Sequence, residues 1–371
     1  MKIIIEPNDV LMFRESKPYT AGESHLAKSV LPLPQAIAGA LRSAILVKSN
    51  FSDEARQIVG YNEKEPKFEI LGHFLFKEGE EYFPTPLDVA KAKGIDSYFF
   101  VKPLPLHHHW NGKFIFKGKT IHFSGVGGYL SYKDLIRYLK GELKEEELED
   151  VVRDNLVRRE SRVGIKLGDA KTTEEGYFYK AEFLRLNKDV KLSVWLNDDH
   201  EIAVRDLLGK SGLIRLGGEG RFAKFTIVDG NPLNELEKSW NEINEMINEN
   251  RRFKLYIATP LLIRENDMYT WDIRSLLESK LNKNESKFEI KNIYPLIGKP
   301  LTFSGWDYAK NKPKPNRYAV PAGSVYFVEF ENGKIKLDKP YLKLGELKKL
   351  GYGLCFMGVW EDEESFDRSM G

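Results

Sequence analysis

The chain has 371 residues, of which 42% are hydrophobic and 30% charged, and its formal net charge is +2. Such a composition supports one large or two ordinary domains with a sizeable core, and no stretch approaches the roughly 18–20 apolar residues of a membrane-spanning helix. The single cysteine, Cys355, excludes an intrachain disulfide and implies a reducing, cytoplasmic setting. Many Lys and Glu with glutamine only at Gln35 and Gln57 is the thermophile direction of composition.

In chain order, Lys2–Asn8 alternates apolar and polar residues and predicts a strand, not a secretory leader. PLPQAIAGALRSAILVK (32–48) predicts a helix, with Pro34 near its start and Ile37, Leu41 and Ile45 at helical spacing. Residues 50–150 are irregular, with short strands such as FEILGHFLF, a turn at KEGEE, a Pro- and His-rich loop and a helix near YKDLIRYLK. ELKEEELED (142–150) holds six acids and one lysine and reads as a solvated helix face. RDNLVRRESRVGIKLGDAK (153–171) then holds six bases against three acids, mixed with glycines. Such a mixture can bring cations and backbone amides to one polyanion.

Further on, EGYFYKAEFLRLNKDVKLSVWLND (175–198) predicts a hairpin around Asn187-Lys188-Asp189, HEIAVRDLLGK a helix and RFAKFTIVD a strand. With 50–150 set aside as an insertion, the order is strand, helix, hairpin, helix, strand, the βαββαβ ferredoxin-like plan. LNELEKSWNEINEMINENR (233–251) predicts an amphipathic helix leading to a second unit. Its strands begin near Arg252 and recur around 287–304, 318–337 and in GYGLCFMGVW, before the acidic tail EDEESFDRSMG. The expected fold class is α+β: two ferredoxin-like (RRM-like) domains, 1–232 with the insertion at about 50–150, and a degenerate copy at 233–371.

LIRLGGEGRFAKF (213–225) joins the second helix to the last strand of the first unit. It is no P-loop, and a dinucleotide turn must open a helix, whereas a strand follows here. Two readings stand: a tight turn with a bulge, or a nest of N–H groups for phosphate with Arg215 and Arg221 adding charge.

MKIIIEPNDVLMFRESKPY with SVLPLPQAIAGALRSAIL, the run RRESRVGIKLGDAKTTEEGYFYKAEFLRL at 158–186, and LGGEGR at 216–221 together resemble the RAMP superfamily of CRISPR proteins. Within it they are most similar to the type III-B (Cmr) effector subunits that grip the 5′ end of guide RNA. The resemblance covers 1–48, 153–228 and the last strand, and is weak over 50–150. It implies a non-catalytic RNA-binding subunit that holds the repeat-derived 5′ handle of the guide RNA. It also implies two neighbours, a large subunit with a polymerase-like palm domain and the RAMP subunit that forms the filament backbone.

The residues suit single-stranded RNA, which needs cations for phosphates, aromatic planes for bases and backbone donors. Arg158, Arg159, Arg162 and Lys166 are candidate cations; Gly164, Gly168, Gly217, Gly218 and Gly220 permit close backbone approach, beside Arg221. Arg14, Lys17, His25 and Lys28, in the loop after the first strand, would open at the same sheet end. Tyr19, Tyr177 and Phe222 are candidate stacking residues, with core packing as the plainer reading. His25 leaves open a metal-free RNA-processing endoribonuclease; the near-neutral charge leaves open a scaffold that binds RNA only beside its neighbours. HHHW (107–110) cannot turn three adjacent histidines to one ion, so no metal or other cofactor is expected. Glu219 is expected to pair with an amide or arginine, and NKPKPNRY (311–318) to form a solvated basic loop.

Overall fold

The computed structural model describes residues 1–13, 29–105, 114–167, 173–196, 199–282, 288–307 and 311–360. β1 (Lys2–Pro7) buries Ile3 and Ile5 beneath α1 (Pro34–Lys48), which presents Ile37, Leu41 and Ile45 one turn apart on its buried face. Pro34 fits the first turn of α1, where its missing amide would have had no helical partner. The chain continues through β2 (Ile70–Lys77), β3 (Glu80–Pro84), β4 (Tyr129–Ser131) and α2 (Tyr132–Lys140). α2 is started by the Ser131 hydroxyl, which accepts from the Asp134 amide, and stopped by left-handed Gly141. Then come β5 (Val157–Leu167), β6 (Thr173–Leu186), β7 (Lys191–Leu196), α3 (Glu201–Leu208), β8 (Ser211–Arg215) and β9 (Phe222–Val228).

These form a mixed α/β structure of antiparallel sheets. The first sheet runs β8-β9-β1-β7-β2-β3-β4. β1 sits centrally, with Ile3 opposite Val194 on one side and Ile227 on the other. α4 (Asn234–Asn250) leads to β10 (Arg252–Ile257), α5 (Arg274–Leu281), β11 (Glu289–Leu296), β12 (Val325–Asn332), β13 (Tyr341–Lys343) and β14 (Leu354–Val359). The second sheet runs β11-β12-β10-β14-β13, again with its earliest strand between later ones.

Two expectations are corrected. The hairpin over 175–198 does not form: β6 pairs with β5, and β7 is inserted between β1 and β2. Asp189, at φ 64°, turns the chain between β6 and β7. β7 is buried from Leu192 to Leu196 and both its edges are filled by distant strands, so local turn chemistry does not decide its partners. Nor is 50–150 wholly an insertion, because β2, β3 and β4 belong to the main sheet. What stands apart is a lobe at 89–125. Its three-stranded sheet is Val89–Ala92, Ile95–Phe100 and Ser124–Gly125, and its two-stranded ribbon pairs Lys102–Pro105 with Phe114–Lys117.

The two sheets share one core. Phe83 of β3 packs with Phe74, Tyr132 and Trp195 of the first unit and reaches Phe356 of β14, ring centres 6.0 Å apart. The Tyr256 hydroxyl donates to the Pro84 carbonyl at 2.6 Å, and the Lys343 ammonium to Ile70 and Leu71 carbonyls at 3.0 and 3.3 Å. Burial pulls the Lys343 ammonium down to about 8. In GYGLCFMGVW, Gly351 (φ 102°) turns the chain where an added Cβ would lie 3.1 Å from Ile70 and 3.3 Å from Pro34. The glycine turn at Gly351 is therefore a buried packing turn. Among the described residues no helix is long and apolar enough to cross a membrane.

Candidate nucleic-acid interface

Three segments meet at one end of the first sheet: residues 8–13 after β1, the loop 216–221 between β8 and β9, and the β5–β6 ribbon. Leu11 and Leu184 exchange both backbone hydrogen bonds, at 2.7 and 2.9 Å, which docks the segment on β6. The Met12 carbonyl then accepts from the Gly218 amide at 2.9 Å, which ties the glycine loop to the same segment.

The ribbon register places Arg158, Glu160 and Arg162 opposite Arg185, Phe183 and Ala181. Alternation puts all six on one face. That face meets Asp9, whose carboxylate lies 3.3 Å from Arg162, 3.1 Å from Arg185 and 3.1 Å from Arg221. Glu160 adds bonds to Arg162 at 2.8 Å and to Arg185 at 2.6 Å. Arg162 and Arg221 also stand over the buried Phe183 ring, at 5.2 and 4.9 Å from its centre. Partial burial raises the Asp9 carboxyl, but bonds from the Val10 amide and Arg162, with the charges of Arg162 and Arg185, hold it below the ordinary value. Hydrogen bonds from Arg185 and then Arg162 pull Glu160 down to about 2.

On the opposite ribbon face Arg159 is tethered to buried Glu182 at 2.7 Å, and Glu182 also accepts from the Ser29 amide at 3.2 Å. Arg158 is exposed, with no carboxylate partner among the described residues. Gly164 pairs with Tyr179 and Lys166 lies in β5, while their side chains, like the whole of Arg14, Lys17, Tyr19, His25, Lys28, Gly168 and the HHHW stretch, lie outside the described ones.

The loop divides its glycines by role. Gly217 (φ 92°) is wedged, because a Cβ there would lie 3.0 Å from the Met12 carbonyl. Gly218 is not left-handed, and its amide is already spent on Met12. Glu219 and Gly220 are both left-handed, at φ 57° and 66°, and a Cβ on Gly220 would meet nothing within 4 Å. Close approach of a ligand to the backbone is thus unobstructed at Gly220 but not at Gly217. Glu219 reaches Arg221 at 3.7 Å, in line with the expected pairing. Arg221 Nε is buried without a hydrogen-bond partner among the described residues, leaving one donor unspent. Arg215 stacks over Phe222 at 5.5 Å, and Phe222 is partly exposed.

Sequence reasoning missed Asp9, Glu160, Arg185, Phe183 and Glu182. The β5–β6 register would have revealed Arg185 and Phe183; Asp9 is joined to Arg221 across the fold with no local signal. Among the described residues no group of three or more His, Cys, Asp or Glu could hold a metal.

A family model described as CRISPR-associated protein (Cas_Cmr3) matches residues 3–360. The chain belongs to the Cas_Cmr3 family. A curated Cas_Cmr3 relative, the CRISPR system CMR subunit Cmr3 of Saccharolobus solfataricus, is 24% identical over 234 residues, covering 62% of this chain. The match spans 63% of that relative's length. Among solved structures, a chain of the type III-B Cmr-beta complex bound to cognate target RNA is similar in fold, with a TM-score of 0.51 at 20% identity. It covers 88% of this chain and 86% of that one. A chain of the same complex with target RNA and AMPPnP matches with a TM-score of 0.50, at the same identity and coverage.

Proposed function

We propose that this chain is the non-catalytic subunit of a type III-B (Cmr) CRISPR ribonucleoprotein that holds the repeat-derived 5′ handle of the guide RNA. It would dock the large palm-domain subunit on one side and the backbone RAMP subunit on the other. The observation that carries the reading is the convergence of Arg162, Arg185 and Arg221 on Asp9, beside the loop at 219–220 and exposed Phe222.

The mechanism is positioning. Carboxylates pre-orient the guanidiniums, and each guanidinium has five donors, so Asp9 and Glu160 leave donors over for phosphate oxygens. Phe222 offers a plane for one splayed base, and Arg158 a cation with no carboxylate partner among the described residues. A handle held in this way is kept from pairing with target. We read the two halves, 1–232 and 233–371, as ferredoxin-like units. In support, β9-β1-β7-β2 and β14-β10-β12-β11 each have the strand order 4-1-3-2.

The internal neutralisation of the arginines favours a second reading, a scaffold whose RNA groove is completed by neighbours. Titration of labelled handle RNA against the chain, alone and with the large subunit, separates the two. Saturable handle-selective binding supports the first reading, and binding only with the large subunit the second. Cleavage of repeat RNA that depends on His25 would overturn both.

A further inference from the structure

The lobe at 89–125 carries no recognisable motif, yet its charge is strongly one-sided. Its described residues hold five lysines, at 91, 93, 102, 117 and 119, against one acid, Asp96. Lys102 and Lys117 are directly opposed across the two-stranded ribbon. Like charges at such positions repel, and a carboxylate at either would be favourable. None of Lys91, Lys93, Lys102 and Lys117 has a carboxylate partner among the described residues, whereas Lys119 is held by Glu145 at 3.6 Å and Ser97 at 2.8 Å. Lys91 and Lys93 flank a shallow depression of about 320 Å³, which His122 and Ser124 also line.

From this we infer that the lobe is a second polyanion-binding surface, distinct from the Asp9-centred site, and that its ligand is an RNA backbone read without regard to sequence. The basis is the lobe's own charge pattern, which holds whether or not the handle reading does. Lysine is a flexible point charge that suits evenly spaced phosphates without geometric matching, unlike the forked arginines at Asp9. Repulsion within the opposed pair is lessened when phosphates lie near both ammonium groups, so substitution should weaken binding without lowering stability. Among the described residues of the lobe the exposed large apolar side chains are Leu104 and Ile121, too few for the apolar patch a protein partner would bury.

The test uses the full chain and a labelled 20-nucleotide oligouridylate, which lacks any handle sequence. Changing Lys91, Lys93 and Lys117 together to alanine should weaken binding about tenfold. The log–log salt slope should fall by about 0.7 for each phosphate that is no longer neutralised. Lys117→Glu alone should weaken binding while leaving the melting temperature unchanged or raised. Salt slope and affinity equal to the parent's in the folded triple variant would overturn the inference. So would capture of an acidic peptide such as residues 361–371 at this lobe with oligouridylate binding unaffected by the substitutions, since that would assign the lysines to a protein segment.

Discussion

The β5–β6 ribbon base and the 89–125 lobe are both basic, but their charges are in different states. Arg162, Arg185 and Arg221 are compensated by Asp9 and Glu160 and fixed in direction. The lobe lysines at 91, 93, 102 and 117 have no such partners among the described residues, and Lys102 and Lys117 face each other. A compensated cluster gives little long-range attraction but a preset geometry, which is what selective recognition requires. An uncompensated cluster gives attraction with little geometry, which serves capture. Net charge, at +2, conceals both.

The sharpest division between the regions should come from Arg162→Ala combined with Arg221→Ala. Two charge-assisted hydrogen bonds at about 1.5 kcal/mol each amount to roughly a hundredfold loss of handle affinity. Arg185 still anchors Asp9, so the melting curve should stay close to the parent's. A fluorescence-anisotropy titration with handle RNA checks this, and equal binding would place recognition elsewhere. Next in size is the loop. Gly220→Ala adds a methyl into open space at a left-handed position, with a cost of roughly 1 kcal/mol in stability and a larger fall in handle affinity. Gly218→Ala, which is not left-handed and lies 3.6 Å from the Met12 carbonyl, should change both much less. Reversal of that order, read by thermal melts beside titrations, would remove the proposed anion contact at 219–220.

Asp9→Asn should turn the compensated cluster towards the lobe's condition. Oligouridylate binding is expected to strengthen a few-fold, while preference for the handle falls as three guanidiniums lose their common anchor. Parallel titrations with both RNAs measure it. The smallest effect is on pH dependence. Glu160 is held at about 2 against an ordinary 4.5, so its contribution to stability is complete above that ordinary value and is lost as pH falls towards 2. Glu160→Gln should flatten that part of an acid melting series. Removing lobe lysines should leave it unchanged, because among the described residues no carboxylate with a lowered pKa pairs with them.

Periodic segments were legible from sequence: β1, α1, α2, α3, β9 and α4 all lie where their apolar spacing puts them. Pairing was less legible. β6 and β7 are two alternating runs joined by turn residues, which is the sequence signature of a hairpin, yet β7 answers to β1 and β2 because a central strand takes its partners from the whole chain. The basic run at 158–162 was readable as charge, but its meaning depended on Asp9, Glu160 and Arg185, which come together only through register and docking. The glycine loop was readable as a special turn; which glycine is wedged, which is bonded and which is open followed only from Met12 lying against it. The lobe's lysines could have been found by counting, but interleaved Pro, His and aromatic residues hid them from motif reasoning.

The central position of β1 also bears on how the chain is made. Its two partners, around Val194 and Ile227, lie roughly 190 to 225 residues downstream. At about 5–20 residues per second, the first strand leaves the ribosome roughly 10–45 s before it can be paired. Throughout that interval both its edges are unpaired, even after α1 has emerged to cover Ile3 and Ile5. Nascent chains of this protein should therefore depend on a holding chaperone during synthesis, and refolding of the finished chain from denaturant should be markedly more efficient at low protein concentration.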